Sequence, residues 1–209
     1  MLEELKQAVL EGDYERAAGL TKKALEDGLE PGMILNEALI SAMDIVGEEY
    51  ERGDRYVPEM LISAEAMKAA MGVLRPKLVE AGVKSRGKVV IGTVEGDLHD
   101  IGKNLVAMML EGAGFEVANL GTEVSAEKFV QAVQEHQPDI LGMSALLTTT
   151  MVHMPEVIEA LGKTGLRDGV RVMIGGAPVT KEYAQKIGAD GYAPDAAAAV
   201  ELAKRLVGN

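Results

Sequence analysis

A change of period near residue 85 limits this chain more than any other feature. Before it, apolar residues recur at helical spacing and no β-branched run interrupts them. After "KSRG" they gather into short runs, "KVVIGTV", "FEVANLG", "DILGMSA", "RVMIGGA" and a weaker "GYA", separated by helix-patterned stretches. Two architectures are therefore expected in sequence order. Residues 1–86 read as a four-helix bundle, and residues 87–209 as a flavodoxin-like (Rossmann-like) doubly wound sheet of five parallel strands. Strands covered on both faces explain the unbroken apolar runs.

Punctuation sharpens the helical half. The first helix stops at Gly12, and Asp13 is placed to cap the second, which ends near Gly28. Pro31 opens a third helix reaching about Arg52, and Pro58 opens a fourth that fades near Glu80. Pro76 is expected to kink that last helix or end it early. In the second half, helices fit over about 101–113, 125–136, 153–164, 180–187 and 195–207.

Charge narrows the function classes. The net charge is −12, with 11 basic against 17 acidic residues before residue 87 and 10 against 16 after it. Even acidity argues against nucleic acid and anionic membranes as partners and suits docking on basic protein surfaces. The chain has no cysteine, which excludes disulfides, thiolate chemistry and iron–sulfur clusters. Its acidic, amphipathic start is unlike a signal peptide, and no apolar run reaches membrane-spanning length, so a cytoplasmic protein is expected.

Ligands of such sheets bind beyond the carboxyl ends of the strands. The first strand runs out in "GTVEGDLHDIGKN", where His99 sits between Asp97 and Asp100 and between Gly96 and Gly102. Asp97, two residues away, is close enough to take a proton from one imidazole nitrogen and leave the other free as a ligand. Taken alone, His99 also reads as an exposed loop residue beside a helix capped by Asp97 or Asp100. The third strand ends in "GMSALLTTTM", with the hydroxyls of Ser144, Thr148, Thr149 and Thr150 beside Leu146 and Leu147; a hydroxyl-capped helix start is the plainer reading. The fourth ends in Gly175-Gly176, where a side chain would block something lying against the backbone, or where the chain simply turns tightly.

Together the three strand ends carry a family signature. Asp97, His99 and Gly102, then Ser144 and Leu146, then Gly175 and Gly176 resemble the D-x-H-x-x-G, S-x-L and G-G pattern of cobalamin-binding domains. The helical half resembles the cap module that precedes this domain in cobalamin-dependent methyltransferases. In layout the whole chain is similar to the small corrinoid proteins of methanogen and acetogen methyltransferase systems.

That resemblance implies cobalamin or a related corrinoid as cofactor, with its benzimidazole displaced and His99 as the lower ligand of cobalt. It implies that Asp97 holds the imidazole and is itself linked to a hydroxyl six residues after the S-x-L serine, here Thr150. The rest of the cofactor-binding set is Gly96, Asp100, Ile101, Gly102, Ser144, Leu146, Thr148, Gly175 and Gly176, with Ser144 and Thr148 against the buried nucleotide tail. From the cap segment "RYVPEMLISAEAM", Tyr56, Val57 and Met60 are expected over the upper corrin face; Tyr56 and Met60 also read as bundle packing. The implied role is a methyl carrier without a substrate site of its own, since no barrel fits in 209 residues. Its implied partners are a substrate-specific methyltransferase, a second methyltransferase using tetrahydrofolate or coenzyme M, and a reductive activase. Methanol, methylamines, methoxylated aromatics and quaternary amines are the donors such carriers serve. The alternatives are a cobalamin-binding regulatory protein or mutase small subunit, and a response regulator of the same fold class.

Overall fold

The fold is that of a computed structural model in which residues 1–208 are described. The chain divides into two compact units: Met1–Ser85 with Glu111–Gly114, and Arg86–Leu110 with Phe115 onward. No described helix is long and apolar enough to cross a membrane.

The first unit contains α1 (Leu2–Leu10), α2 (Tyr14–Glu26), α3 (Pro31–Met33), a π-helical segment (Ile34–Ile40), α4 (Ser41–Arg52) and α5 (Val57–Glu80). The backbone stays helical from Pro31 to Arg52, so four helical rods result. Asp13 caps α2 by accepting from the Arg16 N–H at 3.0 Å. Leu5, Val9, Leu39, Val46, Met60 and Leu74 are fully buried. One feature departs from the sequence expectation, and one alternative left open there is resolved. The third rod is not uniformly α: its middle widens into a π turn, where Ala38, Leu39 and Ile40 are all buried, a broader face than an α stripe gives. Pro76 does not end α5, which continues to Glu80.

The turn between α4 and α5 is pinned from inside. Arg55 donates to Glu49 Oε2 at 2.8 Å, to the Leu10 carbonyl at 3.0 Å and to Ser63 Oγ at 3.1 Å. Glu59 Oε2 accepts from the Tyr56 N–H at 2.8 Å and closes the start of α5.

The second unit alternates β1 (Lys88–Thr93), α6 (Ile101–Gly112), β2 (Glu116–Asn119), α7 (Ala126–His136), β3 (Ile140–Ser144), α8 (His153–Lys163), a 3₁₀ turn (Arg167–Gly169), β4 (Arg171–Gly175), α9 (Lys181–Ile187), β5 (Gly191–Tyr192) and α10 (Ala196–Leu206). The strands form one parallel sheet in the order β2-β1-β3-β4-β5. The chain therefore steps outward from β1 to β2 and returns to β3 on the other side, which makes the gap beyond β1 and β3 the switch point. The register aligns Thr93 with Ser144 and Ser144 with Gly175, so three strand ends finish in one row.

One face of the sheet buries Val90, Leu141, Met143, Val172 and Ile174 against Phe129, Met154, Val157 and Leu161. A Cβ at Gly92 would lie 2.9 Å from the Phe129 ring, so the ring rests on bare strand backbone. Removing that ring leaves a cavity that a close-packed core refills only in part. Phe129→Ala is expected to destabilise the protein by about 3–4 kcal/mol. Urea unfolding checks this, and a loss under about 1 kcal/mol would place the ring outside the packed core.

Candidate functional site

The site begins where β1 ends. Thr93 is fully buried, and its hydroxyl donates to the His99 carbonyl at 3.1 Å, folding the following loop back over the strand. Gly96 turns the loop with φ +75°, and the Asp97 N–H donates to the Val94 carbonyl at 3.2 Å. This turn brings Asp97 inward, where its side chain is wholly buried.

Four donors converge on that carboxylate. Oδ1 accepts from the His99 N–H at 3.0 Å and lies 2.8 Å from His99 Nδ1. Oδ2 accepts from the Leu146 N–H at 2.8 Å and from Thr150 Oγ at 2.6 Å. Burial pushes the Asp97 pKa up, but these hydrogen bonds, led by Thr150, outweigh it and hold the pKa well below the ordinary carboxylate range. Asp97 is therefore an anion at neutral pH. An anion fixes Nδ1 of His99 as the protonated nitrogen and leaves Nε2 with its lone pair. The His99 side chain is half exposed, with Nε2 bonded to nothing among the described residues.

The contacts place the residues that the sequence also offered as helix caps. Asp97 binds its own loop and the β3 end rather than capping α6. Thr150 serves Asp97, and α8 starts without any side-chain cap. Asp100 accepts from the Asn104 side chain at 2.9 Å. Ser144 is half-buried at the end of β3, while Leu146 and Thr148 are exposed.

At Gly176 the backbone has φ +119°, and an added Cβ would lie 1.9 Å from the Ala145 carbonyl oxygen. No side chain fits there, so the ends of β3 and β4 meet backbone to backbone. Gly175 is less constrained, with a Cβ position 3.0 Å from the Ala193 carbonyl oxygen, which a shift of a few tenths of an ångström would relieve. Around His99, Leu98 and Ile101 are 68% and 82% exposed, and Leu146 and Leu147 are exposed as well. Ile101 and Gly102, both expected at the site, are solvent-facing in the first turn of α6.

In the helical unit Tyr56 is largely exposed and Val57 is partly so. Of the two readings of Met60, ligand shield and bundle packing, its position agrees with the second. It is fully buried, and its thioether is packed rather than presented.

The donor set fits a corrinoid. No group of three or more His, Asp or Glu side chains among the described residues is placed to hold a bare metal ion. A single carboxylate-backed imidazole suits a metal whose remaining positions are filled by its own macrocycle. The exposed leucines and isoleucine beside His99 are an apolar bed of the kind a flat, largely apolar ring covers.

Residues 87–201 match a B12 binding domain family, and residues 1–75 match a second family also described as a B12 binding domain. The chain belongs to the corrinoid protein family. It is 44% identical to a corrinoid protein of Desulfitobacterium hafniense over 100% of this chain and 98% of that protein. It is 42% identical to trimethylamine corrinoid protein 1 of Methanosarcina acetivorans, covering 97% of this chain and 94% of that protein. Its fold superposes with a TM-score of 0.88 and 31% identity on a chain of the methanol:cobalamin methyltransferase complex from Methanosarcina barkeri, covering 100% of this chain and 80% of that chain. Its cofactor is a corrinoid.

The sequence reading missed the neighbours of the His99 loop. Thr93 anchors that loop, and Lys103, Asn104 and Asn119 form a polar cluster beside it. Two substitutions probe the geometry in the protein without cofactor. Asp97→Asn replaces one acceptor by a donor opposite two donors, and should cost on the order of 2–3 kcal/mol in urea unfolding at neutral pH. Gly176→Ala meets a carbonyl oxygen it cannot avoid and should cost at least as much; a near-neutral effect would show that the β3–β4 contact yields easily.

Proposed function

We propose that this protein carries a methyl group on a corrinoid between two methyltransferases, one specific for the methyl donor and one using tetrahydrofolate or coenzyme M. A reductive activase would restore the cofactor after accidental oxidation. Residues 87–209 are the cofactor-binding domain and residues 1–86 the cap. The observation that carries this reading is the Asp97 carboxylate, buried under four donors and holding the His99 imidazole at 2.8 Å. The names of relatives as trimethylamine and dimethylamine corrinoid proteins support a methylamine as the donor.

The cobalt of the bound corrinoid supplies a centre that accepts and releases a methyl group. His99 Nε2 would hold that metal, and the Asp97 anion would make the imidazole a stronger electron donor by accepting a hydrogen bond from Nδ1. Thr150 and the Leu146 N–H keep the carboxylate ionised and aimed. Leu98, Ile101 and Leu146 would bed the ring, with Gly96, Asp100 and Gly102 shaping the His99 loop. Ser144 and Thr148 would contact the nucleotide tail, while Gly175 and Gly176 act by letting β4 lie against the Ala145 and Ala193 carbonyls, not by leaving an open space. For Tyr56 and Val57, exposed at the start of α5, the resemblance of the cap segment supports a role in shielding the cofactor, while Met60 packs within the bundle. Acidic surfaces on both halves suit brief docking with successive partners, in the cytoplasm and without nucleic acid or membrane.

Reconstitution tests this directly. The protein should bind one cobalamin, and electron paramagnetic resonance of the cobalt(II) form should show coupling to one histidine nitrogen. His99→Ala should abolish that coupling. Coupling that persists in His99→Ala, or no uptake of cobalamin by the folded protein, would overturn the assignment.

A further inference from the structure

Lys103 is a buried charged residue beside this site that the proposed ligand set does not use. It lies in the first turn of α6 and is 3% exposed. Its ammonium donates to Asn104 Oδ1 at 2.6 Å and to Asn119 Oδ1 at 2.7 Å, both neutral oxygens. A buried ammonium without a carboxylate in contact is costly, and the positive end of a helix dipole adds to that cost. Burial accordingly lowers the Lys103 pKa, with the Asp100 charge opposing the shift. An apolar chain of the same length would be the more stable choice at this position.

The bonds around Lys103 lead back to His99. Asn119 ends β2, and its side chain donates to Asn104 Oδ1 at 2.9 Å while its Oδ1 also accepts from the Gly121 N–H at 3.0 Å. Asn104 in turn donates to Asp100 Oδ2 at 2.9 Å. Beyond this knot, the Gly121 carbonyl accepts from the Thr93 N–H at 3.0 Å, and the Glu123 N–H donates to the Asp97 carbonyl at 3.2 Å. Glu123 holds φ +51°, a left-handed conformation that a glutamate adopts at a cost. Thr93 in turn donates to the His99 carbonyl. The ammonium thus ties the first turn of α6 to the end of β2, and both flank the loop bearing His99 and Asp97.

We infer that Lys103 is a positioning residue: by joining Asn104 to Asn119 it fixes the β1–α6 and β2–α7 loops together and sets how firmly His99 ligates the corrinoid metal. The inference rests on the ligand role proposed for His99. It predicts that the charge is kept for the site and not for the fold. Replacing the ammonium leaves no acceptor orphaned, because Asn119 Oδ1 retains the Gly121 N–H and Asn104 Oδ1 retains the Asn119 amide.

Lys103→Met in the full chain is the test. Its urea midpoint should equal or exceed that of the unchanged protein. Without cofactor, amide exchange at His99, Gly121 and Glu123 should quicken about tenfold. With cob(II)alamin, the Kd should rise about tenfold or more, and the fraction showing histidine-nitrogen coupling should fall at least about twofold, the scale on which outer partners of metal ligands act. Asn119→Leu should reproduce these losses, while Asn119→Asp, which keeps an acceptor for the ammonium and for Gly121, should largely avoid them; this pair decides the matter if Lys103→Met does not fold. Unchanged coupling and affinity in Lys103→Met and Asn119→Leu would overturn the inference, even if their stability fell. Absence of nitrogen coupling in the unchanged protein would instead overturn the ligand role of His99, and this inference with it.

Discussion

The buried charge of Asp97 is the interaction on which the functional end of this protein depends. A lone carboxylate in the interior is strongly disfavoured. Here both oxygens are used twice, by donors from two separate segments: the His99 backbone and ring on one side, the Leu146 N–H and Thr150 hydroxyl on the other. Hydrogen bonds to an ionised group are each worth about 1.5–3 kcal/mol, and four of them exceed the desolvation that opposes them. The consequence is geometric as well as electrostatic. Thr150 and Asp97 are 53 residues apart in sequence, yet one carboxylate fixes both and orients the imidazole between them and solvent.

That cross-link is available only because the sheet is parallel and doubly wound. The order β2-β1-β3-β4-β5 places β3 beside β1, and their register ends Thr93 and Ser144 together with Gly175 of β4. Loops leaving three strands at one level have no helix between them, so side chains from one reach backbone from the next. An antiparallel sheet would alternate loop ends and disperse the same residues over two edges.

How far the sequence exposed this follows from where each signal is encoded. Continuous apolar runs located all five strands, and Asp13 and Pro58 marked helix starts, because these signals are local. The Asp97–His99 pair was legible for the same reason, being two residues apart. The π segment at Ile34–Ile40 was not, since an extra residue per turn leaves the apolar spacing of a helix almost unchanged. Met60 carried two readings, a shield by family resemblance and a packing residue by its place in a helix; neighbours distant in sequence decide its burial. Lys103 was overlooked because one lysine in a helix pattern reads as solvated, and its burial depends on Asn119, supplied by the next strand.

The two ends of the sheet use polar residues in opposite ways. At the amino end, Asp139 accepts from the Lys88 N–H at 2.8 Å, and Asp190 accepts from the Val172 N–H at 2.7 Å while pairing with Arg167. Each aspartate there completes a strand start and leaves nothing unmet. At the carboxyl end the choices go against stability: a buried ammonium on neutral oxygens, apolar side chains in solvent and, among the described residues, a histidine nitrogen without a partner. Sequences agree with their fold at every level except where something else is selected. Departures of three different chemical kinds within one row of loops are what a trade of stability for binding predicts, and they are read there without any motif.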